Sequence, residues 1–241
     1  MKKILKQSNK KLDKQANKHS SPKPLIILIH GLHQRHWIMK PLAYQLQKRD
    51  YDTICFDYYS LTETIEQHST KLNDLLQQKL KDNQGFHLVA HSLGGLVIRD
   101  FITRFPQWHE NGQVLNCVTL GTPHMGSTTA EYAKKLMPLS VGQAYKGALD
   151  GKTPDLPKGI CLGVIAGNRP YGLGQAVLTY HNYVNKQASE KQHDGTVYIH
   201  ETQLPTATDH ITIPVTHTGM IMDKEVVRQT DYFLKNGKFL R

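Results

Sequence analysis

FHLVAHSLGG, residues 86–95, is the stretch that decides the fold. Its first five residues read as a short buried strand, and residues 93–105 read as a helix that follows at once. Ser92 therefore lies on a tight strand-to-helix corner, and small residues reduce the crowding of the backbone there: Ala90, Gly94 and Gly95. The pattern is that of a nucleophile elbow, G-x-S-x-G, with alanine in place of the first glycine. In such a turn the Ser92 hydroxyl projects above the sheet, and the Leu93 N–H points at an anion from a helix N-terminus.

Ser92 also has a second interpretation, because a serine before a helix is often only the residue that caps it. A motif of five residues occurs by chance as well. The stretch alone leaves both interpretations open, and the choice depends on whether the rest of the chain supplies a base and an acid in the right order.

Apolar runs and helix-like periods alternate along the remaining chain. Strands are predicted at residues 25–29, 53–56, 86–90, 114–120, 160–166 and 196–200, and helices at residues 36–48, 62–80, 93–105, 128–136 and 224–234. This order predicts an α/β fold with a mostly parallel central sheet and helices on both faces. Two long connections, residues 137–158 and 168–192, are expected to form lid or pocket loops, and the first has room for a short helix at residues 141–149.

The charge of the chain is concentrated at its beginning. Of the net +10 over 241 residues, residues 1–23 carry +7, from eight lysines and one aspartate, and the remainder carries +3. We therefore predict a disordered lysine-rich tail at residues 1–23 and one domain at residues 24–241. No apolar run is long enough for a membrane span and no signal peptide is evident, so we expect a cytoplasmic protein.

The three cysteines lie in apolar, strand-like runs: Cys55, Cys117 and Cys161. Their odd number and wide spacing fit neither a disulfide framework nor a metal site. We expect them to be buried small hydrophobic residues.

A serine nucleophile needs a base within hydrogen-bond reach and a third group that orients the base. His217 follows a β-like stretch and precedes the last helix, which is where the base belongs in the chain order serine, acid, histidine. Asp194 lies in a tight Asp-Gly turn beside a predicted strand, and it is the candidate acid. Isolated Asp-Gly turns are usually structural, and His210 is a rival base, but His210 lies in a connection that does not lead into the last helix.

The oxyanion of an acyl-transfer reaction also needs hydrogen-bond donors. The Leu93 N–H is one candidate. The loop after the first strand supplies the other, because Gly31 leaves the Leu32 N–H free to turn inward.

Five blocks together resemble the α/β-hydrolase superfamily: residues 29–32 (IHGL), 90–95 (AHSLGG), 120–127 (LGTPHMGS), 194–197 (DGTV) and 217–220 (HTGM). The chain is most similar to small bacterial lipases and esterases and to the PGAP1-like branch, over about residues 24–240. The resemblance implies an α/β-hydrolase fold with a Ser92–His217–Asp194 triad and Leu32 and Leu93 as oxyanion donors. It also implies a substrate pocket lined by His30, Gly31, His91, His124 and Met125.

The function implied by the resemblance is hydrolysis of carboxylic esters or lipids through an acyl-enzyme on Ser92, without a metal or other cofactor. An acyltransferase or thioesterase with the same triad is the alternative, and a non-catalytic binding protein of this fold is a further one. The expected partner is a small-molecule ester or lipid, with no specific nucleic acid. The lysine-rich tail is expected to make at most a weak contact with a membrane surface.

Overall fold

The central element of the fold is a parallel six-stranded sheet, seen in a computed structural model that describes residues 23–81, 84–184 and 192–241. Its strands in chain order are β1 (Leu25–Ile29), β2 (Asp52–Phe56), β3 (Phe86–His91), β4 (Val114–Leu120), β5 (Cys161–Gly167) and β6 (Asp209–Ile213). They are arranged in the order β2-β1-β3-β4-β5-β6, and every neighbouring pair is parallel. The predicted tail lies outside the described residues except for Lys23.

Eight helices belong to the described part of the chain, and they are α1 (Lys40–Gln47), α2 (Ile65–Lys79), α3 (Leu93–Arg104), α4 (Gln107–Glu110), α5 (Thr128–Leu136), α6 (Gln175–Val184), α7 (Ile199–Thr202) and α8 (Lys224–Asn236). Short 3₁₀ segments occur at His36–Met39, Pro138–Ser140, Gln143–Tyr145 and Thr218–Ile221. None of these helices is both long and apolar enough to cross a membrane.

The two faces of the sheet bury two separate hydrophobic clusters. Alternate residues of β1 show this, because Leu25, Ile27 and Ile29 belong to one cluster and Ile26 and Leu28 to the other. Helices α2 and α3 pack over the first cluster, and α1 and α8 pack over the second. Burial on both faces explains why β1 is a continuous apolar run. The predicted α/β architecture with helices on both faces is therefore observed.

Local signals in the sequence fix several helix ends. Thr64 caps α2 in a capping box with Gln67, and the side chain of Ser127 accepts a hydrogen bond from the Ala130 N–H at the start of α5. Asp223 caps α8, which ends at Gly237 in a left-handed conformation with φ 67°. These caps fix where α2, α5 and α8 begin and where α8 ends.

The main difference from the sequence prediction lies between residues 192 and 213. The predicted strand at residues 196–200 is instead a turn followed by α7, because the backbone N–H groups of Thr196 and Val197 both bond the Asp194 carboxylate. One edge of the sheet is formed by β6, whose residues were predicted to lie in a connection. His210 lies in β6 with its Nε2 3.0 Å from the Thr202 hydroxyl oxygen.

The long connections and the cysteines also have definite places. The short helix predicted at residues 141–149 is reduced to one 3₁₀ turn, Gln143–Tyr145. Helix α6 forms inside the connection 168–192, of which residues 185–191 lie outside the described residues. The three cysteines have free thiols; Cys117 is buried, and Cys55 and Cys161 are partly buried.

Candidate active site

Ser92 occupies the corner between β3 and α3 in a backbone conformation that L-amino acids rarely adopt, with φ 53° and ψ −124°. Space for this corner comes from glycines. A Cβ on Gly94 would lie 2.7 Å from the carbonyl oxygen of His30, and one on Gly95 would lie 2.2 Å from the Thr122 hydroxyl oxygen. The strained serine and the two glycines are the features expected of a nucleophile elbow.

Asp194 and His217 form a buried hydrogen bond. Nδ1 of His217 lies 2.7 Å from Oδ2 of Asp194, and the two residues are 6% and 1% exposed. The other carboxylate oxygen, Oδ1, accepts hydrogen bonds from the N–H groups of Thr196 at 2.9 Å and Val197 at 2.8 Å. Because an ionised carboxylate only accepts, Nδ1 of His217 carries a proton, and Nε2 is the basic nitrogen of the neutral ring.

The loop that follows β6 brings His217 to this position. The His217 N–H donates to the carbonyl oxygen of Asp194 at 2.8 Å, so backbone and side chain both tie the two residues together. Gly121, at the carboxyl end of β4, lies beneath the pair with φ 58°. A Cβ there would be 3.0 Å from His217 Nδ1 and 3.1 Å from Asp194 Oδ2. The carboxyl ends of β4 and β6 therefore converge on the pair, as expected for a parallel sheet.

The loop after β1 lies against Ser92. A Cβ on Gly31 would lie 2.9 Å from the Cβ of Ser92, so only glycine allows this approach. Leu32, the next residue, lines the same cavity as Ser92 and His217. Leu93 is the first residue of α3, and its N–H therefore has no carbonyl partner within the helix.

His91 connects the loop after β1 to the loop that carries His217. Its Nε2 lies 3.0 Å from the carbonyl oxygen of His217, and its Nδ1 lies 3.1 Å from Oε1 of Gln34. Complete burial lowers the pKa of His91 to about 3. The neutral ring has one N–H to share between these two oxygens.

Gln34 was not predicted as a site residue, although it follows Gly31 by three residues in a loop with predicted site residues. Its Oε1 accepts a hydrogen bond from the Gly31 N–H at 2.8 Å, and its side chain lines the cavity. Arg99 was not predicted either. Its buried guanidinium donates to the carbonyl oxygens of His124, Thr153 and Pro154, and so fixes the first long connection.

Ser92 and His217 open into a cavity of about 330 Å³. Its walls are mainly apolar: Ala130, Ala133, Leu136 and Met137 come from α5 and the residue after it, and Val141, Leu149, Leu173 and Val177 come from the two long connections. Both connections predicted to shape the pocket therefore contribute to it. The arrangement places a hydroxyl and an imidazole at one polar end of an apolar chamber.

Five residues were predicted to line the pocket, and the structure describes all of them. Of these five, His91 lines this cavity. His30 is instead fully buried behind the loop, where its ring stacks on Tyr58 with centroids 4.1 Å apart. Its neighbour Gly31 contacts Ser92 from the side through its backbone.

The other two predicted lining residues lie further from the cavity. His124 is 1% exposed, its Nε2 is 3.0 Å from the Thr119 hydroxyl oxygen, and burial lowers its pKa to about 3. Met125 is 57% exposed on the outer surface. Thus the Gly-Thr-Pro-His-Met-Gly block contributes Pro123 to the lining, and its Thr122 hydroxyl donates to the carbonyl oxygen of Ser92 at 2.8 Å.

No group of three or more histidine, cysteine, aspartate or glutamate side chains arranged to hold a metal ion occurs within the described ranges.

Comparison with known proteins gives relatives among lipases and esterases. The family model described as "Domain of unknown function (DUF7379)" matches residues 3–145. Triacylglycerol lipase 2 of Saccharomyces cerevisiae is 29% identical over 117 residues, which span 39% of this chain and 35% of the yeast protein.

Solved structures of similar shape cover most of the chain. The mature form of Bacillus licheniformis lipase BlEst2 has a TM-score of 0.70 and 23% identity, and the match covers 91% of this chain and 94% of the lipase. The metagenomic carboxyl esterase MGS0156 has a TM-score of 0.62 and 16% identity, with 82% of this chain and 65% of the esterase covered. These likenesses confirm the α/β-hydrolase fold. The assignment to the PGAP1-like branch stays a prediction.

Proposed function

The chain belongs to the family described as a domain of unknown function (DUF7379), a membership that assigns no reaction, and we propose that this protein hydrolyses carboxylic esters through an acyl-enzyme on Ser92. The observation that carries the proposal is the 2.7 Å contact between Asp194 and His217, because His217 lines the same cavity as the strained Ser92. Helix capping does not require such a buried pair.

In the first step Ser92 Oγ attacks the ester carbonyl carbon while Nε2 of His217 takes its proton. Asp194 holds the ring so that Nε2 is the basic nitrogen, and it stabilises the imidazolium that forms. The N–H groups of Leu32 and Leu93 bind the oxyanion, and each such donor contributes about 3–4 kcal/mol to stabilisation of the transition state. His217 then protonates the departing alcohol, which leaves the acyl group on Ser92.

The second step reverses these roles for water. His217 accepts a proton from a water molecule as the water attacks the acyl carbon, and then returns the proton to Ser92 Oγ as the acid leaves. The residues named here account for both steps without a metal or organic cofactor.

The proposed substrate is an ester with an apolar acyl part, or a lipid. The apolar walls of the cavity favour an aliphatic chain, which gains about 0.8 kcal/mol for each CH₂ group it buries. The names of the related lipases and of the carboxyl esterase support the same class of substrate.

The test compares wild type with Ser92→Ala on p-nitrophenyl esters. We expect the variant to keep its melting temperature and to lose activity by at least about 10⁴-fold, because the nucleophile is gone. Thr70→Ala, which removes an exposed hydroxyl from α2, is the matched control and keeps wild-type activity. Turnover by Ser92→Ala close to that of wild type would contradict the proposal. Product analysis in the presence of added alcohols or with acyl-thioesters separates hydrolysis from acyl transfer and thioester cleavage.

A further inference from the structure

Gln34 holds its side-chain amide in a defined orientation beside Ser92. Its Oε1 lies 2.8 Å from the Gly31 nitrogen. Since a backbone N–H only donates, the atom that faces it is the carbonyl oxygen of the amide, and this fixes which end of the amide is Nε2. The contact from His91 Nδ1 to the same oxygen, at 3.1 Å, is a hydrogen bond in the tautomer that carries its proton on Nδ1.

The NH₂ group of Gln34 has its donors available. Among the described residues, no acceptor takes a hydrogen bond from Nε2, and Nε2 is not a buried atom without a partner either. The residue is half-buried and lines the cavity that contains Ser92 and His217. Gln34 therefore presents an accessible amide donor, anchored through its oxygen, on a residue that lines the cavity, and this donor is available to a polar atom of a substrate.

This amide also lies close to the reacting serine. A Cβ on Gly31 would meet Ser92 Cβ at 2.9 Å and Gln34 Oε1 at 3.1 Å, so the two side chains flank the same point. Leu32, whose N–H is the proposed oxyanion donor of this loop, is two residues before Gln34, and both line the cavity. The loop after β1 thus carries a backbone donor and a side-chain donor on the same side of Ser92.

We propose that Gln34 is a third donor to the reacting ester, and that its Nε2–H stabilises the carbonyl oxygen as it becomes an oxyanion. The inference rests on the proposed function, since it concerns the acyl-transfer step at Ser92. A donor that binds the oxyanion more strongly than the ground-state carbonyl lowers the barrier, and its loss reduces kcat more than it raises KM. The anchor from the Gly31 N–H holds the amide in place before substrate binds, so little ordering is needed during the reaction.

Gln34→Glu tests the donor separately from the anchor. The introduced carboxyl keeps an oxygen for the Gly31 N–H, but when ionised it has no proton to donate. We expect kcat for p-nitrophenyl esters at pH 8 to fall about 10- to 100-fold, with KM within about twofold of wild type. Gln77→Glu adds the same charge at an exposed position of α2 and is the matched control, with unchanged kcat.

The pH dependence distinguishes a donor from a merely structural residue. A protonated carboxyl regains one donor, so the ratio of kcat/KM for Gln34→Glu to that of wild type should rise as the pH is lowered from 8 toward 5. The inhibition constant of a trifluoromethyl ketone, whose adduct carries an oxyanion, should rise by the same factor as kcat/KM falls.

Several outcomes would overturn the inference. Wild-type kcat in Gln34→Glu, an effect on KM alone, or a ratio that does not change with pH would each do so. Should Gln34→Glu melt far below wild type, Gln34→Ala takes its place, and an unchanged inhibition constant in that variant overturns the inference. Activity that persists in Ser92→Ala would instead remove the proposed function, which keeps the two failures distinct.

Discussion

Replacing Gly121 by alanine perturbs the His217–Asp194 pair without changing either side chain. Gly121 has φ 58°, in the left-handed region, where a residue with a Cβ costs about 1–2 kcal/mol. The added methyl group would also lie 3.0 Å from Nδ1 and 3.2 Å from Cε1 of His217, and 3.1 Å from Oδ2 of Asp194. The pair has to move by a few tenths of an ångström to accommodate it.

Gly112→Ala separates these two effects. Gly112 has φ 71°, and a Cβ there would have no atom within 4 Å. Both variants should therefore lose about 1–2 kcal/mol of stability, a decrease in melting temperature of roughly 2–4 °C per kcal/mol for a chain of this size. Only Gly121→Ala should lose activity. We expect kcat/KM for ester hydrolysis to fall about 10- to 100-fold, because small displacements of catalytic groups have large effects on rate.

The assay measures thermal unfolding and p-nitrophenyl ester hydrolysis on the same preparations of wild type and both variants. A folded Gly121→Ala protein with wild-type kcat/KM would refute the reasoning. Equal activity losses in the two variants would refute it as well, since the backbone strain alone would then explain the effect.

Two further predictions concern the pH dependence of stability and the length of the acyl chain in the substrate. Burial lowers the pKa values of four histidines to about 3–4, and these are His68, His87, His91 and His124. In the unfolded chain the pKa of a histidine is about 6.5. The unfolded state therefore binds more protons than the folded state as the pH falls from about 6.5 to 4. The free energy of unfolding should therefore decrease over this range by up to about 1.4 kcal/mol per pH unit for each histidine. Denaturant titrations at several pH values measure this, and a free energy of unfolding that does not change with pH would contradict the prediction. Ala133→Phe adds a large side chain to the apolar wall beside Ala130 and so fills part of the cavity. Activity on a series of p-nitrophenyl esters should therefore shift toward shorter acyl chains. An unchanged preference for acyl chain length would place the acyl chain elsewhere.

Strands β1 to β5, most of the longer helices and the corner at Ser92 were accessible from sequence because their signals are local. The alternation of apolar runs with helical periods gave the α/β class, and the Ser92 corner needs small neighbours that are visible in the sequence itself. The placement of His217 after the last strand and of Asp194 in a tight turn relied on the order of elements along the chain. Their mutual contact at 2.7 Å is a result of the fold.

The pocket could not be predicted in the same way, because its lining depends on packing between distant segments. His30 and His124 lie next to residues of the site in sequence, yet stacking on Tyr58 and a contact with Thr119 direct their rings into the interior. The edge strand β6 was not predicted because it lies between Pro205 and Pro214 and most of its side chains are not fully buried. Gln34 carries no motif, and only its contact with the Gly31 N–H indicates a role.

The most direct test of the central claim is the mass of the protein during turnover. The protein is mixed with a p-nitrophenyl ester and quenched in acid within the burst phase, and the adduct is then mapped by peptide mass spectrometry. We predict one acyl group per chain, attached to Ser92, and no adduct in the Ser92→Ala variant. Ester turnover with the acyl group on another residue, or with Ser92 unmodified, would contradict the account.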